Sequence, residues 1–324
     1  MISYHAGSLS NLSALTKLGI APQHPVDALA AYVSLCRVVK SGVVIDRMRG
    51  VPSVIDRLMV DSAAVGKQIH LASIDDYIKF LEINHDAITT YVNMDIIDDE
   101  EASYKNLKII ESAGLRPIPV FHWGRGEFYW LEKYLDEGYD YIGLGTSPKY
   151  PRNISPAGDR LFRMSSPEAL RLLDYIWDRY LTDDNGMPLV KVHGFGVSPG
   201  MAWERWPWYS VDSTTVIRFG YVGGVMTPFG PFRIKEGNDS HLSVLGLTSE
   251  LQPETSSKVK ELIEKNIPEG YSLDDLLGSD KVAGYLRFVL FVNMVDNWAR
   301  DLGWPRPFKY KGAAGVNIGL EVVS

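Results

Sequence analysis

Short runs of β-branched and aromatic residues alternate along this chain with longer stretches in which apolar residues recur every three or four positions. That alternation is the sequence form of strand–helix units around a parallel sheet. Eight strand-like runs can be read: ISYHAG near the start, AAYVSL from Ala30, RLMVDSA from Arg57, TYVNMDII from Thr90, RPIPVFHWG from Arg116, DYIGLG from Asp140, LVKVHGFG from Leu189 and WYSVDST from Trp208. Helical periodicity fills the intervals, as in SIDDYIKFLEI, DEEASYKNLKIIESAG, EFYWLEKYLDEG and SSPEALRLLDYIWDRYL. Ser73 is placed to cap one of these helices, and Gly114 and Gly138 stand where a helix end needs a left-handed residue. Most strands start about 25–30 residues apart, the length of one βαβ step. No strand–turn–helix carries a dinucleotide glycine pattern, so the expected fold is α/β, a (β/α)8 TIM barrel with inserted loops, rather than an open doubly wound sheet.

After Asp212 the pattern changes. RFGYVGGVMTPFGPFRIKEG has the glycine and aromatic content of a hairpin or loop, and helical character returns in VKELIEKNI and DKVAGYLRFVLFVNMVDNWARDL. Residues 1–224 are therefore expected to form the barrel and 225–324 a small C-terminal appendage of hairpin, loop and helices packed on it. The late apolar helix is interrupted by Asp, Arg and Asn, which argues against a membrane span.

Composition narrows the function. A formal net charge of −7 excludes the wholly basic surface of a protein that grips nucleic acid everywhere, so any such contact must be local. The single cysteine, Cys36, excludes an internal disulfide and every zinc site built from two or more cysteines. MISYHAGSLS lacks a basic segment followed by an apolar core, which predicts a cytoplasmic protein with no membrane association.

In a barrel, strand C-termini converge on one mouth. The residues ending the eight runs are polar: His5, Ser34, Asp61, Asn93 with Asp95, His122, Gly143 with Gly145, His193 with Gly194 and Gly196, and Asp212. Three aspartates, Asp61, Asp95 and Asp212, would meet in one cleft although they are far apart in sequence. An aspartate closing a strand also serves as the cap of the next helix; Asp98, Asp99, Glu100 and Glu101 suit that duty better than Asp95 does. His122 and His193 read equally as core imidazoles, and a metal site of His5, His122, His193 and an Asp has neither an HxH pair nor an HExxH helix behind it. The strand-end glycines let a flat ring approach the backbone. Between DYIGLG and the next helix lies an inserted segment with Lys149, Arg152, Arg160 and Arg163, either a solvated loop or a local grip on a phosphate backbone. The aromatic run WERWPWY, from Trp203 to Tyr209, is either a stacking surface or part of the core.

These residues resemble the tRNA-guanine transglycosylase (queuine tRNA-ribosyltransferase) superfamily, and more closely its phage-type members related to the DNA-modifying transglycosylases called DpdA. The likeness runs from Met1 to about Gly224. It rests on VDSAAVGKQI, YVNMDIIDDEEASYKNLKIIESAGLRPIPVFHWG, YIGLGTSP, KVHGFGVS and PWYSVDST leading into RFGYVGG. The resemblance implies Asp212 as the nucleophile on the ribose C1′, Asp61 as the general acid/base and Asp95 as the reader of the purine edge. His122 stands where the family usually has a base-binding Gln, and Gly143 and Gly145 match its glycine-rich strand end. His193 and Gly194 are expected to line the same pocket, with Lys149, Arg152, Arg160, Arg163 and Arg218 on the nucleic acid.

Departures are equally specific. With Cys36 alone, the family's zinc subdomain cannot exist; DSGGF has become DSAAV; and Arg218 only partly echoes the family's Thr-Arg pair. The expected activity is exchange of guanine in DNA for a 7-deazaguanine base through a covalent aspartyl-glycosyl intermediate, with no cofactor and no metal. Its partners would be the DNA or RNA acceptor, the free base and a protein that supplies docking surface. The same exchange on tRNA, an N-glycosidase and a catalytically silent base-binding barrel remain as alternatives.

Overall fold

The computed structural model describes residues 1–39, 42–44, 48, 52–62, 73–97, 99–123, 127–145, 166–220, 224–234, 242–244, 253–278 and 280–311. Eight parallel strands form one sheet: β1 (Ile2–Ala6), β2 (Val26–Ala31), β3 (Ile55–Asp61), β4 (Thr90–Tyr91), β5 (Val120–His122), β6 (Tyr141–Gly145), β7 (Lys191–Gly194) and β8 (Ser210–Ser213). Their order is β4-β3-β2-β1-β8-β7-β6-β5. The two ends of that order meet through a parallel bridge between Val92 and Ile118. There the Asn93 N–H donates to the Ile118 carbonyl at 2.8 Å, and the Ile118 N–H to the Tyr91 carbonyl at 2.9 Å. The sheet curls round on itself and alternates with helices, as in a TIM-like barrel.

Strand alternation divides the core into two layers. Alternate strand residues such as Ala28, Val60, Phe121, Leu144, Val192 and Val211 join helix residues such as Leu107, Leu131 and Leu173 in the larger apolar cluster, between sheet and helices. A smaller cluster of Tyr4, Ala6, Leu29, Met59, Val92, Ile118 and Val120 contains no helix residue and fills the inside of the curl. Successive side chains on a strand point to opposite faces. Asp61, two after Met59, and His122, two after Val120, therefore face inward.

The helices begin and end as the sequence indicates. Ser73 accepts from the Asp76 N–H, and Gly114 and Gly138 take positive φ of 81° and 79° at helix ends. At the second unit the reading needs correction. The strand begins at Val26, four residues before AAYVSL, and Tyr32–Leu35 is a short helix, so Ser34 is exposed and its hydroxyl donates to the Ala31 carbonyl. Asp27 disguises this strand as polar. Its carboxylate is held at 2.8 and 2.9 Å by Arg57, its register partner on β3.

Beyond β8, Gly224–Thr227 and Gly230–Ile234 form the expected antiparallel hairpin, with Leu242–Val244 as a third strand. The helix Lys281–Leu302 is capped by Asp280 and packs against β1 and the helix Thr215–Gly220. His5, which alternation turns away from the inside, meets Asp296 of this helix at 2.9 Å. Trp203, Trp206 and Trp208 are fully buried, so the aromatic run belongs to the core. Among the described residues, no helix is long and apolar enough to cross a membrane.

Candidate functional site

The C-terminal ends of the strands enclose a cavity of about 390 Å³, lined by Asp61, Asp95, His122, Gly145, Gly196 and Asp212 together with Ala6, Leu29, Ile97, Val120, Phe195 and Thr214. Four of the strands supply polar side chains or backbone here: Asp61 ends β3, His122 ends β5, Gly145 ends β6 and Asp212 lies on β8. Asp95 follows β4 in a segment outside helix and strand. The remaining walls are largely apolar, a setting in which a few polar groups fix the orientation of a flat ligand.

Asp212 is 8 % exposed and accepts the Gly196 N–H on Oδ1 at 2.8 Å. Gly196 holds a φ of 67°, the left-handed conformation that glycine adopts without strain, and this turns its N–H toward the carboxylate. On the same side, His193 Nε2 lies 3.4 Å from Oδ1.

His122 is clasped by two acids. Its Nδ1–H donates to Glu100 Oε1 at 2.7 Å, its backbone N–H reaches the same oxygen at 3.2 Å, and Nε2 lies 3.1 Å from Asp95 Oδ2. Burial alone would lower the pKa of the ring, but the hydrogen bonds to Asp95 and Glu100 outweigh burial and raise it to about 9. At neutral pH the cavity therefore presents an imidazolium bound to Asp95. Asp61 and Asp212 line the same cavity.

By sequence Glu100 is a charge serving the N-terminus of the helix Glu100–Ser112. The cap is Asp99, which accepts the Ala102 N–H at 2.9 Å, and Glu100 turns to His122 instead. Nothing local in DDEEAS distinguishes the two acids; only the arrival of His122 from the next strand does. Phe195 is a second residue that the sequence reading passed over. It lines the cavity and sets its ring edge-on to His193 at 4.4 Å. The signal was its place two residues beyond His193, on the inward-facing alternation.

Other expected positions fall elsewhere. His193 is fully buried behind Asp212 and does not line the cavity. Gly143 and Gly194 do not line it either. A Cβ on Gly143 would lie 2.5 Å from the Phe195 ring, and one on Gly194 would lie 2.6 Å from Val197 and 3.0 Å from Trp208. These two glycines make room for neighbouring side chains rather than for a ligand. Asn93 donates to the Ser103 carbonyl at 2.8 Å. His5, His122 and His193 bind Asp296, the Asp95–Glu100 pair and Ser210 respectively, so they do not form one metal cluster. Lys149, Arg152, Arg160 and Arg163 lie outside the described residues, as does the side chain of Arg218 in the helix Thr215–Gly220.

Scanning the chain against protein-family models finds no match, and a search of curated proteins finds none.

Proposed function

We propose that this chain is a base-exchanging transglycosylase that replaces guanine in a nucleic acid, DNA in the first instance, by a 7-deazaguanine base. One observation carries the reading: Asp61, Asp95 and Asp212, from three separate strands, line one cavity at the strand C-termini. A binding protein has use for Asp95 at a base edge but little for two further carboxyl groups beside it.

In this reading one Asp212 oxygen forms a bond to the sugar C1′ as the bond from C1′ to the base nitrogen breaks. The electron pair leaves with the base, which takes a proton from the Asp61 carboxyl. The incoming base returns its proton to Asp61 and attacks C1′, releasing Asp212 as a carboxylate. Atoms and charge balance over the two displacements. Asp95 accepts from the N1–H and exocyclic amine of the purine, held for that duty by the His122 imidazolium, whose two N–H groups go to Asp95 and Glu100. The nucleotide must be single-stranded or flipped, since C1′ is shielded inside a duplex.

The test is incubation of the protein with labelled guanine and single-stranded DNA, duplex DNA or tRNA. Label should enter one polymer with the native protein and not with Asp212→Asn. Release of base without incorporation would replace exchange by hydrolysis, and equal incorporation by Asp212→Asn would remove the nucleophile from the reading.

A further inference from the structure

Behind the cavity a polar chain of half-buried Tyr141 and fully buried Ser210 and His193 crosses the inside of the curled sheet. The Tyr141 hydroxyl on β6 lies 2.6 Å from Ser210 Oγ on β8, and Ser210 Oγ lies 2.6 Å from His193 Nδ1 on β7. His193 Nε2 is buried, has no hydrogen-bond partner among the described residues and stands 3.4 Å from Asp212 Oδ1. Ser210 and His193 are both fully buried, so solvent does not reach these two members of the chain. Tyr4 and Phe195 pack edge-on against the imidazole, with ring centroids at 6.0 and 4.4 Å, and fix its plane.

Proton positions follow from elimination. Burial holds the Tyr141 pKa well above the usual phenol value, so its hydroxyl keeps a proton to donate. If Nδ1 carried the imidazole proton, the bare Nε2 lone pair would face a carboxylate oxygen at 3.4 Å, two acceptors opposed in a site of low polarity. The opposite arrangement sets no two acceptors against each other. Tyr141 O–H donates to Ser210 Oγ, Ser210 O–H donates to His193 Nδ1, and the Nε2–H is left pointing at Asp212. The bond made by one ring nitrogen thus decides the proton on the other.

We infer that His193 is a positioning residue: locked by Tyr141 and Ser210 in its Nε2–H form, it holds Asp212 from behind, together with the Gly196 N–H, as the ionised attacking group. Two donors on Oδ1 turn the second carboxylate oxygen toward the cavity. The 3.4 Å separation shortens when the sugar closes the site, since such contacts tighten in the reacting complex. His193 touches neither base nor sugar. This role rests on the proposed transglycosylase reading, but the proton arrangement behind it does not.

Two measurements separate the inference from that reading. Nitrogen-15 NMR of the imidazoles, with the His193 signals assigned by their loss in His193→Leu, should show a neutral ring protonated at Nε2. Protonation at Nδ1 overturns the inference whatever the activity. In exchange assays, His193→Leu should lower kcat by about 10- to 100-fold, the worth of one hydrogen bond to a charged group, with KM nearly unchanged. His193→Gln, whose amide can present an N–H near the Nε2 position, should recover most of that loss. Ser210→Ala, which releases the tautomer without emptying the ring site, should cost several-fold in kcat. Failure of Gln to rescue, or native kcat in both His193→Leu and Ser210→Ala, would overturn the assignment. Loss of activity in Asp212→Asn beside native activity in these variants would leave the transglycosylase reading standing and remove His193 from it.

Discussion

Replacing Glu100 by Gln keeps a hydrogen-bond acceptor for His122 Nδ1 but deletes one of the two charges that hold the ring as an imidazolium. Its effect on stability depends on pH in a direction that the site fixes. The His122 pKa in the folded chain, about 9, lies above the ordinary imidazole value of 6.5. Its contribution to stability is therefore complete below about pH 6.5 and is lost as pH rises through about 9. At about 1.4 kcal/mol per decade, the displacement is worth about 3 kcal/mol. Asp95 and Glu100 share it, so the variant should forfeit about 1–2 kcal/mol at pH 6. The gap should close toward pH 10, where the ring is neutral in both proteins and two carboxylates around it are no advantage. A single pH profile would mislead. The Met1 amine, lowered to about 6 by burial and then by Arg306, adds a slope of opposite sign between its folded and ordinary values. It cancels in the difference between native protein and variant. Urea unfolding of both at pH 6, 7.5 and 9.5 measures that difference, and NMR titration of His122 reads the ring directly. A difference that does not change with pH, or a native His122 titrating near its ordinary value, would refute the two-carboxylate clasp.

Two further outcomes test packing and charge away from the reacting groups. Gly194→Ala should destabilise by about 1–3 kcal/mol in thermal or urea unfolding, because the new methyl group meets fully buried Val197 and Trp208 side chains that cannot swing clear. Arg57→Ala should cost about 2–3 kcal/mol by leaving the buried Asp27 carboxylate without its bidentate partner, and Asp27→Asn in the same chain should restore part of that loss; the value sits below that of a fully enclosed pair because a third of the Arg57 side chain reaches solvent. Equal stability of Arg57→Ala and the native protein would show that water replaces the pair at no cost.

What the sequence revealed of this molecule and what it hid divide along one physical line, the distance to the partner. Repeating strand–helix units and the acids that end them are local patterns, and barrel topology then brings Asp61, Asp95 and Asp212 together without any further information. Ser73 and the two helix-ending glycines are equally local, each satisfied within a few residues of itself. The misread positions are those whose partner arrives from another strand. The start of β2 at Val26 is hidden because Asp27, one residue in, meets Arg57 thirty positions on; Glu100 resembles a cap because His122 comes with the following strand; Gly143 and Gly194 suggest a ligand because Phe195 and Trp208 fill the space only after folding. His193 is the most instructive case. Its strand-end position suggested contact with the substrate, yet alternation aims it inward, where Ser210 and Asp212 of the adjacent strand intercept it. A polar residue at a strand end can thus stand behind the group that faces the cavity rather than in the cavity itself, and only the cross-strand register, His193 opposite Ser210 between β7 and β8, reveals which of the two positions it occupies.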